Sequence, residues 1–332
     1  MKRRTFIRQS VLAGLGGAAL AGKPPAHAAG AEPPLGGGIS RNKSPEAGKN
    51  LLLKGSFYRH HPIDFSRGAN GALGMKGWGE TVDVEAPVKE SALISMHTEN
   101  IGLVPELPYA DRGPLAGYMR WLEYIGRKAD IVRTVYPRIL DAARGAGMPV
   151  VHVSMGEYGR KYPGYAKALE ISGPEPGTKT PRAPGDGKVR PPDDRKSELI
   201  FGEHYNDNRD EEHFGRYFDF AEGAKPRGDE LVVETSHQLS SVLNSLGAWN
   251  LIYVGFAINW CLWFSEGGMV DMSRLGYRCS CIREGVTAVE NKESVRGEQH
   301  KEEAMWRTSL MFGYIFGADD FIAACETAGP KA

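Results

Sequence analysis

Cysteine is scarce in this chain and net charge is absent. Four cysteines in 332 residues, Cys261, Cys279, Cys281 and Cys325, are far too few to staple a disulfide scaffold. Lys plus Arg and Asp plus Glu balance at 41 each, so no field of one sign draws the chain to nucleic acid or to an anionic membrane. The basic residues between 179 and 196 are interleaved with acids and proline, which argues further against a nucleic-acid partner. The weakly apolar run from Ser10 to Gly22 is too short to span a bilayer as a permanent helix, so no stable membrane anchor is expected. No internal repeat of fixed period is visible. What remains is an ordinary globular composition, 41% hydrophobic and 25% charged, enough for one large α/β domain or two small ones.

The first residues read as an address. Arg3-Arg4-Thr5-Phe6-Ile7-Arg8 resembles the twin-arginine export signal, a Gly- and Ala-rich run follows, and Ala26-His27-Ala28 fits a small-residue cleavage site. Residues 1 to 28 are therefore expected to be a signal peptide and the destination the periplasm or the exterior. Their removal takes away Lys2, Arg3, Arg4, Arg8 and Lys23 and no acid, leaving 36 basic against 41 acidic residues, a net of −5. The twin-arginine route resembles one used by proteins exported already folded, sometimes around a cofactor.

Residues 29 to 90 are rich in Gly, Pro and short polar runs and read as an extended arm, with short strands at Leu51 to Phe57 and Thr81 to Glu85. From Ser91 onward, apolar runs alternate with helical periods. Strands are expected at Ala92–Met96, Met148–Ser154, Leu231–Glu234, Leu251–Val254 and Tyr277–Ile282. Helices are expected at Tyr118–Gly147 with a kink at Pro137, from Ser236 to about Leu246, from about Cys261 to Leu275, from about Gly297 to Phe316, and from Asp320. Such alternation implies βαβ units, hence an α/β fold with a parallel sheet covered on both faces. The main domain spans residues 91–332, and a Pro-, Gly- and charge-rich segment at about 157–228 reads as a flap over the strand ends. His204, Tyr205 and His213 lie in that flap. Cys279 and Cys281 alternate on one strand and cannot easily bond each other, whereas an oxidising compartment leaves open a bridge from either to Cys325.

The segment Leu251-Ile-Tyr-Val-Gly-Phe-Ala-Ile-Asn-Trp-Cys261 carries the most chemistry. A strand runs through a Gly-containing turn to a cysteine where the next helix begins. That position offers the positive end of a helix dipole and unpaired N–H groups to a thiolate or an oxyanion. His97 follows the first strand of the domain and Glu234 ends the third. Ligands of parallel sheets sit at these carboxyl ends. A thiol, an imidazole and a carboxylate on one edge form a set suited to acyl transfer: Cys261 attacks, His97 moves the proton, Glu234 orients His97. Trp260, Trp263 and Tyr118, with His204 from the flap, are candidates for the substrate pocket. Aromatic residues at these spacings are more often plain core.

From about Ser91 to Phe321 the chain resembles the isochorismatase-like cysteine hydrolases, which include nicotinamidases and N-carbamoylsarcosine amidases. Ala92-Leu-Ile-Ser-Met-His97, Ile139 to Val153, Val254-Gly-Phe-Ala-Ile-Asn-Trp-Cys261, Leu275-Gly-Tyr-Arg278 and Arg283-Glu-Gly-Val-Thr-Ala288 carry the likeness, in the right order. The resemblance implies a three-layer α/β/α sandwich, association as a homo-oligomer, and hydrolysis of a small amide, imide, ureide or ester without an obligatory cofactor. It implies a cis peptide between Ala257 and Ile258 and an oxyanion hole from the N–H groups of Ile258 and Cys261. It also exposes a departure. The family's Asp and Lys positions hold His97 and Glu234, so the set is either rebuilt as Cys–His–Glu or catalytically silent, binding a ligand or partner. A metal-dependent hydrolase with His97, Glu99 and Glu157 as mixed ligands is a third alternative.

Overall fold

The computed structural model describes residues 49–68, 70–107, 123–176 and 211–329. The chain opens with a hairpin, β1 (Asn50–Arg59) and β2 (Gly77–Pro87), and passes into β3 (Ser91–Met96). Helices α1 (Ile125–Thr134) and α2 (Tyr136–Ala146) lead to β4 (Val150–Val153). Helices α3 (Pro163–Ser172) and α4 (Glu211–Tyr217) precede β5 (Leu231–Val233). Helix α5 (Ser236–Leu246) leads to β6 (Asn250–Phe256), and two short helices, α6 (Cys261–Phe264) and α7 (Met269–Arg274), lead to β7 (Arg278–Thr287). Helix α8 (Gln299–Met311), β8 (Ile315–Phe316) and α9 (Ala318–Ala328) complete the fold.

All eight strands join one sheet in the order β2-β1-β8-β7-β6-β3-β4-β5. Strands β3 to β8 pair in parallel, whereas β1 runs antiparallel to both β8 and β2. Every residue of β3, β4, β5 and β6 is buried. Strands covered on both faces need such unbroken apolar runs. Their side chains alternate between two cores. Leu93, Val150, Ile252 and Val254 pack with α1, α2 and α9, while Ile94, Val151, Leu251 and Tyr253 pack with α3, α5, α7 and α8. The fold is thus the expected three-layer α/β/α sandwich.

The five expected central strands are present, and the departures have local causes. The single helix expected over Tyr118–Gly147 is two, broken at Val135, because Pro137 has no N–H to continue a helix but fits the first turn of α2. The helix expected after Cys261 is interrupted by Ser265 to Gly268, so α6 is one turn. The arm is not wholly separate from the domain. The compact unit starts at Lys49, and β1 aligns Ser56 with Ile315 of β8, extending the sheet. Leu51 and Leu53 of β1 are fully buried in the first core. The bridge left open to Cys325 does not form. Cys279 and Cys281 face the second core, Cys325 the first, and all are free thiols separated by the sheet. No helix among the described residues is long and apolar enough to cross a membrane.

Candidate active site

From β3 the chain proceeds outward through β4 and β5, then returns to place β6 on the other side of β3 and continues outward through β7 and β8. The β3/β6 boundary is therefore the point where the winding reverses, and the crevice beyond the carboxyl ends of these two strands is where such sheets bind ligands. His97 to Asn100 and Ala257 to Cys261 are the segments that leave β3 and β6 there. The two backbones meet closely at Gly255. Its φ is +142°, and a Cβ there would lie 2.0 Å from the Met96 carbonyl oxygen, so any side chain would wedge the strands apart directly beneath the crevice.

The turn that presents Cys261 is held by its neighbours. Ile258 N–H donates to the Thr287 carbonyl at 2.8 Å. The Asn259 side chain grips Val289 from both sides, donating Nδ2–H to its carbonyl and accepting its N–H, each at 2.9 Å. These bonds correct the expected oxyanion hole. The cis peptide lies one residue earlier, between Phe256 and Ala257, and Ile258 N–H is already spent on β7. The backbone of Ala257 instead hydrogen-bonds the Cys261 sulfur. The Cys261 N–H, at the first position of α6, has no helical partner. The Ala257 backbone, already turned to the sulfur, and the Cys261 N–H are thus two donors offered by this turn.

Cys261 is partly buried. Burial raises its thiol pKa, the Ser265 side chain and the Ala257 backbone oppose this, and the Glu99 charge adds to the rise. The pre-formed thiolate expected from a helix dipole is not what this geometry favours, since one turn of helix carries little dipole. The sulfur rests as a thiol and needs a base.

Glu99, on the segment that leaves β3, is the buried carboxylate whose charge reaches Cys261. It is 2% exposed and its Oε1 accepts from Lys128 Nζ at 2.6 Å, while its Oε2 is buried with no partner. Lys128 is fully buried on α1, its ammonium pKa lowered by burial and raised in part by Glu99. The Glu99 charge also acts on Cys261, His97 and Tyr158. Its backbone is pinned by bridging to Phe220, and Asn100 and Asp219 exchange further hydrogen bonds alongside. A buried ion pair is a poor investment in stability, because desolvation offsets most of its attraction. Lys128 went unnoticed in the sequence, yet it left a signal: Ile125, Lys128, Ala129 and Val132 are the buried face of α1, so a lysine stands at i+3 in an apolar stripe.

The expected Cys–His–Glu set is not assembled. Glu234 is taken up by Arg160, whose Nε and Nη2 donate to its oxygens at 2.9 Å, and by the Tyr165 hydroxyl at 3.1 Å. Its carboxylate, only 12% exposed, is engaged by an Arg fork and a hydroxyl rather than by an imidazole. His97 is 5% exposed and sits in left-handed backbone at φ +53°, a conformation that costs a non-glycine residue about 1–2 kcal/mol. Its N–H donates to the Val153 carbonyl and its Nδ1 is buried without a partner. Burial, moderated by Glu99 and reinforced by Lys128, lowers its pKa to about 4, so the ring is neutral. The mixed metal site is not assembled either. Glu99 is engaged by Lys128, Glu157 is mostly exposed beside Arg160, and among the described residues no group of three His, Cys, Asp or Glu side chains could hold a metal ion.

Trp260 and Trp263 border a groove beside the turn together with Phe264, Val289, His300 and Arg307. Trp263 itself is core, its indole N–H donating to Thr308 at 3.1 Å. His213 donates a ring N–H to the Glu106 carbonyl at 2.7 Å. Tyr118, His204 and Tyr205 lie outside the described residues, as does the flap between 177 and 210.

No family model matches the sequence, and neither does any curated protein. Solved structures do. A cysteine hydrolase from Pseudomonas syringae pv. phaseolicola is 14% identical, with 73% of this chain and 94% of that one covered at a TM-score of 0.40. An isochorismatase-like hydrolase from Alkaliphilus metalliredigens is 15% identical over 72% of this chain and 97% of that one, TM-score 0.40. An isochorismatase family protein from Burkholderia thailandensis is 16% identical over 72% and 96%, TM-score 0.39. Residue roles rest on the geometry of this chain alone.

Proposed function

We infer that the protein is a cysteine hydrolase of small amides, imides, ureides or esters, with Cys261 as nucleophile, Glu99 as general base and acid, and Lys128 as the partner that holds Glu99. The observation that carries this reading is Glu99 itself, with one oxygen fixed by Lys128, the other buried and unpartnered, and a charge that helps raise the Cys261 thiol. Glu99 takes the Cys261 proton as the sulfur bonds to the substrate carbonyl carbon. The carbonyl electron pair moves to oxygen, which the N–H groups of Ala257 and Cys261 receive. Collapse of this adduct expels the amine or alcohol, which leaves with the proton from Glu99. Glu99 then takes a proton from water as it attacks the thioester, the acid departs, and the thiol is restored. This is the acid–lysine–thiol chemistry of the resembled family, supplied from two different positions of the chain.

The reading includes export by the twin-arginine-like segment and association as a homo-oligomer. A panel of small amides, ureides and esters, run with wild type, Cys261→Ala and Glu99→Gln, tests the chemistry. Turnover that vanishes in both variants is expected. Turnover that survives Cys261→Ala ends the reading. Cys261 labelling by iodoacetamide no faster than at the three buried thiols, with no turnover, favours a silent binding protein instead.

A further inference from the structure

Six side-chain polar atoms among the described residues are buried without a partner, and five of them lie on two adjacent strand ends: His97 Nδ1, Thr98 Oγ1 and Glu99 Oε2 after β3, His152 Nδ1 and Ser154 Oγ at the end of β4. Buried polar atoms are nearly always paired, so these strand ends hold an unusual share of open acceptors and donors. His97 is the member that departs furthest from what packing alone requires. Its backbone is turned into the left-handed region just where β3 ends, next to the base and one strand away from the nucleophile. Its ring lies within the electrostatic reach of both Glu99 and Lys128. A strained, buried, unpartnered side chain beside reactive groups is the pattern from which a function is inferred.

We propose that His97 is the specificity-determining residue of this crevice, accepting at Nδ1 a hydrogen bond from an N–H of an uncharged carboxamide or ureide whose carbonyl Cys261 attacks. This deepens the hydrolase reading and rests on it. Two further observations point to that class. The imidazole is neutral, so it holds a lone pair and cannot pair with an anion. The cations of α1 beside the crevice are already engaged, Lys128 by Glu99 and Arg127 by Glu123, Thr287 and the Ala288 carbonyl. A carboxylate substrate finds no open charge among them, whereas an N–H donor finds the Glu99 and His97 acceptors. A site built to receive an N–H discriminates strongly against an analogue that lacks one.

The test uses the full chain and two substrates that share an acyl group, a primary carboxamide and its methyl ester. In His97→Leu the kcat/KM for the amide is expected to fall about tenfold or more while that for the ester changes less than about threefold. His97→Asn, whose side chain tolerates left-handed backbone but is shorter, keeps the measurement available if the leucine variant does not fold; it is expected to lose the amide preference in the same sense. The rate of Cys261 alkylation by iodoacetamide should stay at the wild-type value in both. Equal losses for amide and ester, or no loss for either, overturn the His97 assignment and leave the hydrolase intact. Absence of turnover of both substrates by wild type, with Cys261 unreactive, overturns the hydrolase reading and this inference together.

Discussion

Two ion pairs stand on the same edge of the sheet and teach opposite lessons. Glu234 and Arg160 meet at the end of β5, where the arginine is 42% exposed and water screens the pair. Glu99 and Lys128 meet beyond β3, at 3% and 0% side-chain exposure, with one carboxylate oxygen left unsatisfied. The outer pair is complete in itself: two parallel contacts and a tyrosine hydroxyl use up the carboxylate. The inner pair is incomplete and lies beside a thiol that needs a base. By sequence alone Glu234 is the more attractive catalytic acid, because it ends a strand. Burial and partners reverse the ranking.

The largest expected effect separates the two pairs by activity. Glu99→Gln keeps shape and removes the base, and should lower kcat about 10²–10⁴-fold, with Cys261→Ala at least as damaging, read by turnover of the preferred small amide. Glu234→Gln should leave kcat within about threefold. If the two carboxylates respond alike, the contrast between them is false. Stability draws the next distinction. Lys128→Met leaves the Glu99 charge buried and unpaired and should cost about 3–5 kcal/mol in urea unfolding, most of it regained in the Glu99→Gln, Lys128→Met double variant.

Acid sharpens the comparison further. The unfolded His97 takes its proton near 6.5 and the folded one only near 4. Stability present above pH 6.5 is therefore lost as the pH falls toward 4, by about 3 kcal/mol from this residue. His97→Asn should flatten that slope, measured as unfolding free energy against pH. The smallest effect is expected at the outer pair. Arg160→Ala or Glu234→Ala should change stability by about 1 kcal/mol or less, and added salt should reduce even that.

Much of this was legible in the residues. The central strands were read from apolar runs, and α5 was expected from Ser236 to about Leu246; its cap is Thr235, one residue before the serine, and a left-handed Gly247 ends it. The Cys261 turn was legible because strand, glycine and helix start fall within a few residues. Less legible was the partner of the thiol. Glu99 is two residues beyond the position that alignment favours, and Lys128 is separated from it by a segment of the chain that periodicity cannot fold. The cis bond and the oxyanion donors slipped by one residue for the same reason. Which N–H is free depends on Thr287, thirty residues downstream of the turn.

Local order, then, was written in the chain itself: alternating apolar runs dictate the layers, and a glycine that lets β6 touch β3 dictates where the crevice opens. Partnership was decided only by the folded state, since desolvation and pairing act between residues far apart in sequence. Burial left Lys128 and Glu99 as an inner pair with one open carboxylate oxygen, and the nearby Arg160 took up Glu234.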